Sequence, residues 1–115
     1  MGDLYEVRQT VRRGTPVIEL HGECDLAAAP EIRAAVVSVF ADGATSVVFD
    51  LDQVTFLDSS AMVAFLSARR RATEAGGKVT ILCSQPSLLR LLKLLELDRI
   101  LELRSREEWE AGPGD

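Results

Sequence analysis

Cysteine, histidine and aromatic residues are scarce in this 115-residue sequence, and each scarcity removes a class of function. Two cysteines, Cys24 and Cys83, cannot make a disulfide framework, and with the single His21 they offer no zinc-ligand spacing. Buried small hydrophobes are the plain reading of both, since a redox pair needs exposed, electropositive surroundings. Aromatics, at 5%, are too few for the cradle of rings and convergent polar groups that holds a small ligand. Basic residues are the minority, 13 against 18 acids, and a formal net charge of -5 argues against direct nucleic-acid binding. The one basic run, Arg69-Arg70-Arg71, reads as a solvated last helical turn. No stretch approaches the ~20 apolar residues of a membrane span, and Met1 to Gly14 lacks the apolar core of a signal peptide. A cytoplasmic address and no membrane partner are expected. Neither a Gly-x-x-x-x-Gly-Lys loop nor a nucleophile elbow occurs, and His21 beside Gly22 reads as structural. The chain is therefore expected to be a binding partner and not an enzyme, with no cofactor and no metal.

What is present suits a small folded unit. Apolar residues make up 47% of the chain and charged residues 27%, which gives a core without the depletion that marks disorder. Alternation at Tyr5, Val7, Gln9 and Val11, a Gly14-Thr15-Pro16 break and the run Val17 to Leu20 predict a hairpin. Pro30 opens a first helix with Ile32, Ala35, Val36, Val39 and Phe40 at helical spacing. Val47, Val48, Phe49 and Leu51 predict a central strand covered on both faces. A second helix follows Asp58, with Met62, Val63, Phe65, Leu66 and Ala72 as its apolar stripe and Gly76-Gly77 as its stop. Lys78 to Cys83 reads as a strand, and a Leu-rich helix opens at Pro86. A short strand at Ile100 to Leu103 and a capping box from Ser105 to Glu108 end the pattern, the last helix carrying Trp109 over a sheet edge.

Strands alternating with helices predict an α/β sandwich whose small mixed sheet is mostly parallel, with an N-terminal antiparallel edge hairpin and packed α-helices. One domain over residues 1–110 and a flexible tail at 111–115 are expected. The carboxyl ends of the parallel strands share one rim, which should hold Gly22 to Leu26, Thr55 to Ser60 and Cys83 to Pro86. There, Asp58, Ser59 and Ser60 arrive together at a helix mouth. Asp58 or Ser59 can serve simply as the N-cap, a role that needs one side-chain oxygen. Alternatively a serine is phosphorylated where the helix dipole and backbone N–H groups favour negative charge. Local chemistry alone favours the cap.

The segments Phe56-Leu57-Asp58-Ser59-Ser60, Gly22-Glu23-Cys24-Asp25-Leu26 and Gly76-Gly77-Lys78-Val79, with Pro86, Arg90-Leu91-Leu92 and Leu97-Asp98-Arg99-Ile100, resemble the STAS domain of bacterial anti-sigma-factor antagonists in order and over nearly the whole chain. The resemblance implies a STAS-type fold and a partner switch in transcription regulation. Ser59 would be the serine phosphorylated by an anti-sigma factor of the serine-kinase type, and a PP2C-like phosphatase would reset it. The unphosphorylated form would bind that kinase through Asp25, Asp58, Ser60, Ala61 and Met62, with Met62 in the dry part, and so release a sigma factor. A monomer or weak dimer is expected. STAS relatives also act as structural or regulatory partners in stressosome-like or lipid-transport complexes, which is the alternative. Ala61 and Glu96 stand where many relatives have glycine, so the backbone after Leu95 is open to a different turn or a longer helix.

Overall fold

In the computed structural model, which describes residues 4–111, strands and helices follow one another in the order their periodicities suggest. Strand β1 (Tyr5–Arg12) and strand β2 (Thr15–Cys24) form the antiparallel hairpin. Its turn residues, Arg13 and Gly14, both have positive φ, 57° and 77°, the type I′ geometry whose twist matches that of paired strands. Helix α1 (Ala29–Ala41) carries Pro30 in its first turn, where the missing N–H has no intrahelical acceptor to lose. Then come strand β3 (Val47–Leu57), helix α2 (Ser59–Ala75), strand β4 (Val79–Leu82) and helix α3 (Pro86–Leu94). A 3-10 turn (Leu97–Arg99), strand β5 (Glu102–Arg104) and helix α4 (Arg106–Ala111) complete the described chain. Of the tail expected at 111–115, Ala111 closes α4 and residues 112–115 lie outside the described residues.

The strands lie in the order β1-β2-β3-β4-β5, antiparallel only between β1 and β2. Because successive side chains leave a strand on opposite faces, the sheet sorts its apolar residues into two clusters. Ile18, Leu20, Val47, Phe49, Val79 and Ile81 enter the main core beneath α1 and α2. Val17, Val48 and Leu82 point the other way and receive Trp109. Helix α4 thus covers the second face of the sheet and not an edge, correcting the expectation. Its start is fixed by a reciprocal capping box, Ser105 N–H to Glu108 Oε1 at 2.9 Å and Glu108 N–H to Ser105 Oγ at 3.0 Å. A charge cluster sits beside it. Asp50, only 3% exposed, accepts hydrogen bonds from Arg12 of β1 at 2.8 Å and from Arg106 of α4. A carboxylate buried on a sheet face is tolerable only with such partners.

Helix α2 is held against β3 by Phe65, whose ring centroid lies 4.7 Å from that of Phe49 at a tilt of 58°. Apart from Met62, its inner face is otherwise small, with Ala61, Ala64, Ala68 and Ala72 all buried, so the helix axis can approach the sheet closely. The helix runs to Ala75, so the Arg69-Arg70-Arg71 run lies a turn before the end and not in the last turn. Gly76 then stops it in the left-handed region, φ 85°. After α3 the chain does not continue as helix: Glu96 adopts φ 60°, the left-handed conformation a glycine would take, and its carboxylate pairs with Arg99 at 3.1 Å. The side chain departs from the glycine pattern, but the turn does not.

Candidate functional site

Three chain segments meet at the carboxyl rim of the parallel strands. The β2 and β3 exits are adjacent, with Cys24 opposite Leu57 and Asp58 N–H donating to Cys24 C=O at 3.3 Å. Strand β3 extends well past β4, which pairs only with Val47 to Asp50. Beyond that point the side chain of Gln85 takes over, its Nε2 donating to Leu51 C=O at 2.9 Å and to Val54 C=O at 3.0 Å. Asp52 Oδ1 also accepts from Ser84 N–H at 3.0 Å. An amide side chain therefore stands in for the missing strand and ties the approach to the helix mouth to the start of α3. Sequence reasoning placed Cys83 to Pro86 on this rim but did not single out Gln85. Its only signal was an amide directly before Pro86, at the helix N-cap.

At the mouth of α2 the labour is divided. Asp58, with extended backbone (φ -109°, ψ 179°), is the N-cap, and its Oδ1 accepts the Ser60 N–H at 2.8 Å and the Ser60 hydroxyl as well. The Ser60 hydroxyl, and after it the backbone N–H groups of Ser60 and Ala61, hold the Asp58 carboxyl below its usual range against a smaller opposing effect of burial. Ser59, the first residue of α2, is exposed, and its hydroxyl makes no hydrogen bond among the described residues. Asp25 builds the turn before α1: its Oδ1 accepts Ala27 N–H at 3.0 Å, and its carbonyl accepts Ala28 N–H at 3.0 Å. Gly22 permits the hairpin to close on this rim, since a Cβ there would come within 2.2 Å of Leu4 O.

The apolar surface is not where the sequence reading put it. Ala61 is fully buried and Met62 is 6% exposed, so neither can supply the dry part of a contact in this conformation. Both pack inward with Phe65 and Ala72. The expected stripe divides instead, because Val63 and Leu66 face solvent at 55% and 41% exposure. Ser59, Val63, Leu66 and Arg70 recur at i, i+4, i+7 and i+11, and all four are exposed along one outer face of α2. Counting forward from the serine at helical spacing would have found them. Phe56, 51% exposed, and Leu26, 72% exposed, belong to the two strand exits on the same rim.

Neither cysteine offers nucleophilic chemistry. Both are buried. Burial, with the Asp25 charge adding to it, pushes the Cys24 thiol up to about 11, and burial also raises Cys83. Among the described residues no group of three or more His, Cys, Asp or Glu side chains could hold a metal ion. No described helix is long and apolar enough to cross a membrane.

A five-stranded sheet of this order, antiparallel only at its first pair, with a capped acid-Ser-Ser helix mouth at its carboxyl rim, defines a class of small α/β domains. The chain belongs to the STAS domain family, whose model matches residues 6–109. It is 29% identical over 86 residues, 74% of either chain, to an anti-sigma F factor antagonist of Lysinibacillus sphaericus. Its fold is similar to that of an anti-sigma factor antagonist from Mycobacterium paratuberculosis, with a TM-score of 0.84 and 23% identity over 96% of this chain and 95% of that one. It is also similar to the anti-sigma factor antagonist SpoIIAA in its unphosphorylated form, with a TM-score of 0.71 and 25% identity over 93% of each chain. The Bacillus protein in its phosphorylated form gives 0.69 and 25% identity over 93% of this chain and 96% of that one.

Proposed function

We propose that this chain is an anti-sigma-factor antagonist working by partner switching. Its unphosphorylated form binds an anti-sigma factor of the serine-kinase type and releases a sigma factor, and phosphate on Ser59 blocks that binding. The observation that carries the reading is the division of roles at the helix mouth. Asp58 and Ser60 are consumed by the cap, while the Ser59 hydroxyl is exposed and uncommitted beside them. The existence of SpoIIAA in both phosphorylated and unphosphorylated forms supports it.

A phosphate on the first residue of a 17-residue helix sits at the positive end of its dipole, so the fold can keep it. The added charge, roughly -1.5 to -2, acts on the partner instead. It lies next to Asp58 and on the rim that carries Asp25, at the head of the Val63 and Leu66 stripe that forms the dry contact. Like-charge repulsion and desolvation of about 3 kcal/mol would lower affinity on the order of 100-fold. A PP2C-like phosphatase resets the switch, and no change of backbone is needed.

The test is incubation with candidate anti-sigma kinases and ATP followed by mass spectrometric site mapping, together with binding of wild type, Ser59→Ala and Ser59→Asp. Phosphate on Ser59 alone and weakened binding only for Ser59→Asp are expected. Phosphate confined to Ser60, or equal affinity for all three proteins, would overturn the proposal.

A further inference from the structure

The outer edge of β1 has features that fit a second copy of this chain. Two observations at opposite ends of the strand say which of its backbone groups face outward. Arg12 and Thr15 flank a two-residue type I′ turn, and the pair that closes such a hairpin is hydrogen-bonded. At the other end Leu4 C=O accepts from Glu23 N–H at 2.8 Å. The register between Tyr5 and Arg12 is unbroken, so even-numbered residues direct their N–H and C=O toward β2. The backbone groups of Val7, Gln9 and Val11 point away from the sheet.

Such a row is a template for another strand unless its side chains forbid pairing. Here they select a register. Antiparallel pairing across a two-fold axis at Gln9 joins Val7 to Val11 of the second copy, Gln9 to its own counterpart and Val11 to Val7, all as hydrogen-bonded pairs. The same register sets Glu6 opposite Arg12 and Arg8 opposite Thr10, with no like charges facing. It also gives Val11, 66% exposed near the turn end of the strand, an apolar neighbour. Moving the axis to Arg8 would stack Arg8 on Arg8, moving it to Glu6 would stack Glu6 on Glu6, and moving it to Val7 would shorten the overlap and leave Val11 uncovered. β5, at the other side of the sheet, is only three residues long and closes no such pair.

We infer that two copies associate through β1, pairing antiparallel about Gln9 so that their sheets become continuous. The edge lies apart from the outer face of α2, so this does not depend on the proposed function. Sedimentation of the whole chain over a concentration series up to about 1 mM should show a monomer–dimer equilibrium that goes no further than dimer. Gln9→Pro removes the outward N–H at the axis while leaving the bonds to β2, and is expected to weaken the dimer at least tenfold. Glu6→Arg, at an exposed position, brings like charges together and should do the same. Circular dichroism confirms that each variant is folded. Gln9→Cys should form a symmetric cross-link under mild oxidation, whereas Arg8→Cys should not. A wild type that stays monomeric throughout, association unaffected by either Gln9→Pro or Glu6→Arg, or cross-linking through Arg8→Cys in preference to Gln9→Cys would overturn the inference.

Discussion

Replacing Gln85 by leucine keeps its size and removes only its amide. Two carbonyls, those of the buried Leu51 and Val54, then lose donors that no backbone group of β4 can supply, because β4 stops pairing at Asp50. Each lost hydrogen bond costs about 1 kcal/mol net, and each carbonyl left dry costs more, so the substitution should destabilise the protein by about 2–4 kcal/mol. That is a large fraction of the 5–15 kcal/mol roughly expected for a domain. Gln85→Glu should be worse than Gln85→Leu, since a carboxylate would face two carbonyl oxygens. Urea unfolding at neutral pH measures the loss, and hydrogen exchange should localise the loosening to residues 51–58. A loss below about 0.5 kcal/mol for Gln85→Leu, or a glutamate variant as stable as the wild type, would refute the idea that the amide replaces a strand.

Other expectations concern the same rim and the core behind it. Val63→Asp and Leu66→Asp should leave the urea midpoint nearly unchanged, because both side chains face solvent, while weakening binding to the proposed anti-sigma partner at least tenfold in a titration. Phe65→Ala should cost about 3–5 kcal/mol in chemical denaturation, since the ring packs on Phe49 in the buried core. Asp58 has a lowered pKa in the folded state, so its contribution is present above the unfolded value and is lost as pH falls through the folded one; Asp58→Asn should remove that part of the acid dependence seen in pH-resolved unfolding curves. Cys24 and Cys83 should react with a disulfide reagent at pH 8 slowly in the native protein and quickly in urea, as buried thiols with raised pKa values.

Order and type of the elements were readable because strong local signals agreed: two-residue alternation in β1, Pro30 and Pro86 opening helices, Gly76 ending one, and Ser105 with Glu108 beginning another. What misled was the assumption that a helix's apolar residues all face inward. In α2 the inner face is built largely from alanines, which a hydrophobic pattern barely registers, while the larger Val63 and Leu66 stand outside. The length of β3 was hidden for a different reason. Asp52, Gln53 and Thr55 look like loop residues, and what keeps this stretch extended is β2 pairing along one edge and, on the side that β4 leaves open, Gln85, about thirty residues further on. Trp109 was seen as a covering residue, but which surface it covers depends on the alternation of three separate strands.

The pairing of Asp50 with both Arg12 and Arg106 has a consequence for how the chain reaches its native state. Its two guanidinium partners come from β1 and from α4, 38 residues before it and 56 after it. Arg13 lies over the Trp109 ring of the same helix, 5.4 Å from its centroid. A growing chain could form its hairpin and pair β3 early, yet Asp50 would wait with half its compensation until the last helix emerged from synthesis. Contacts so distant in sequence make completion of the second face a late event, and a chain cut before α4 should be caught in that unfinished form.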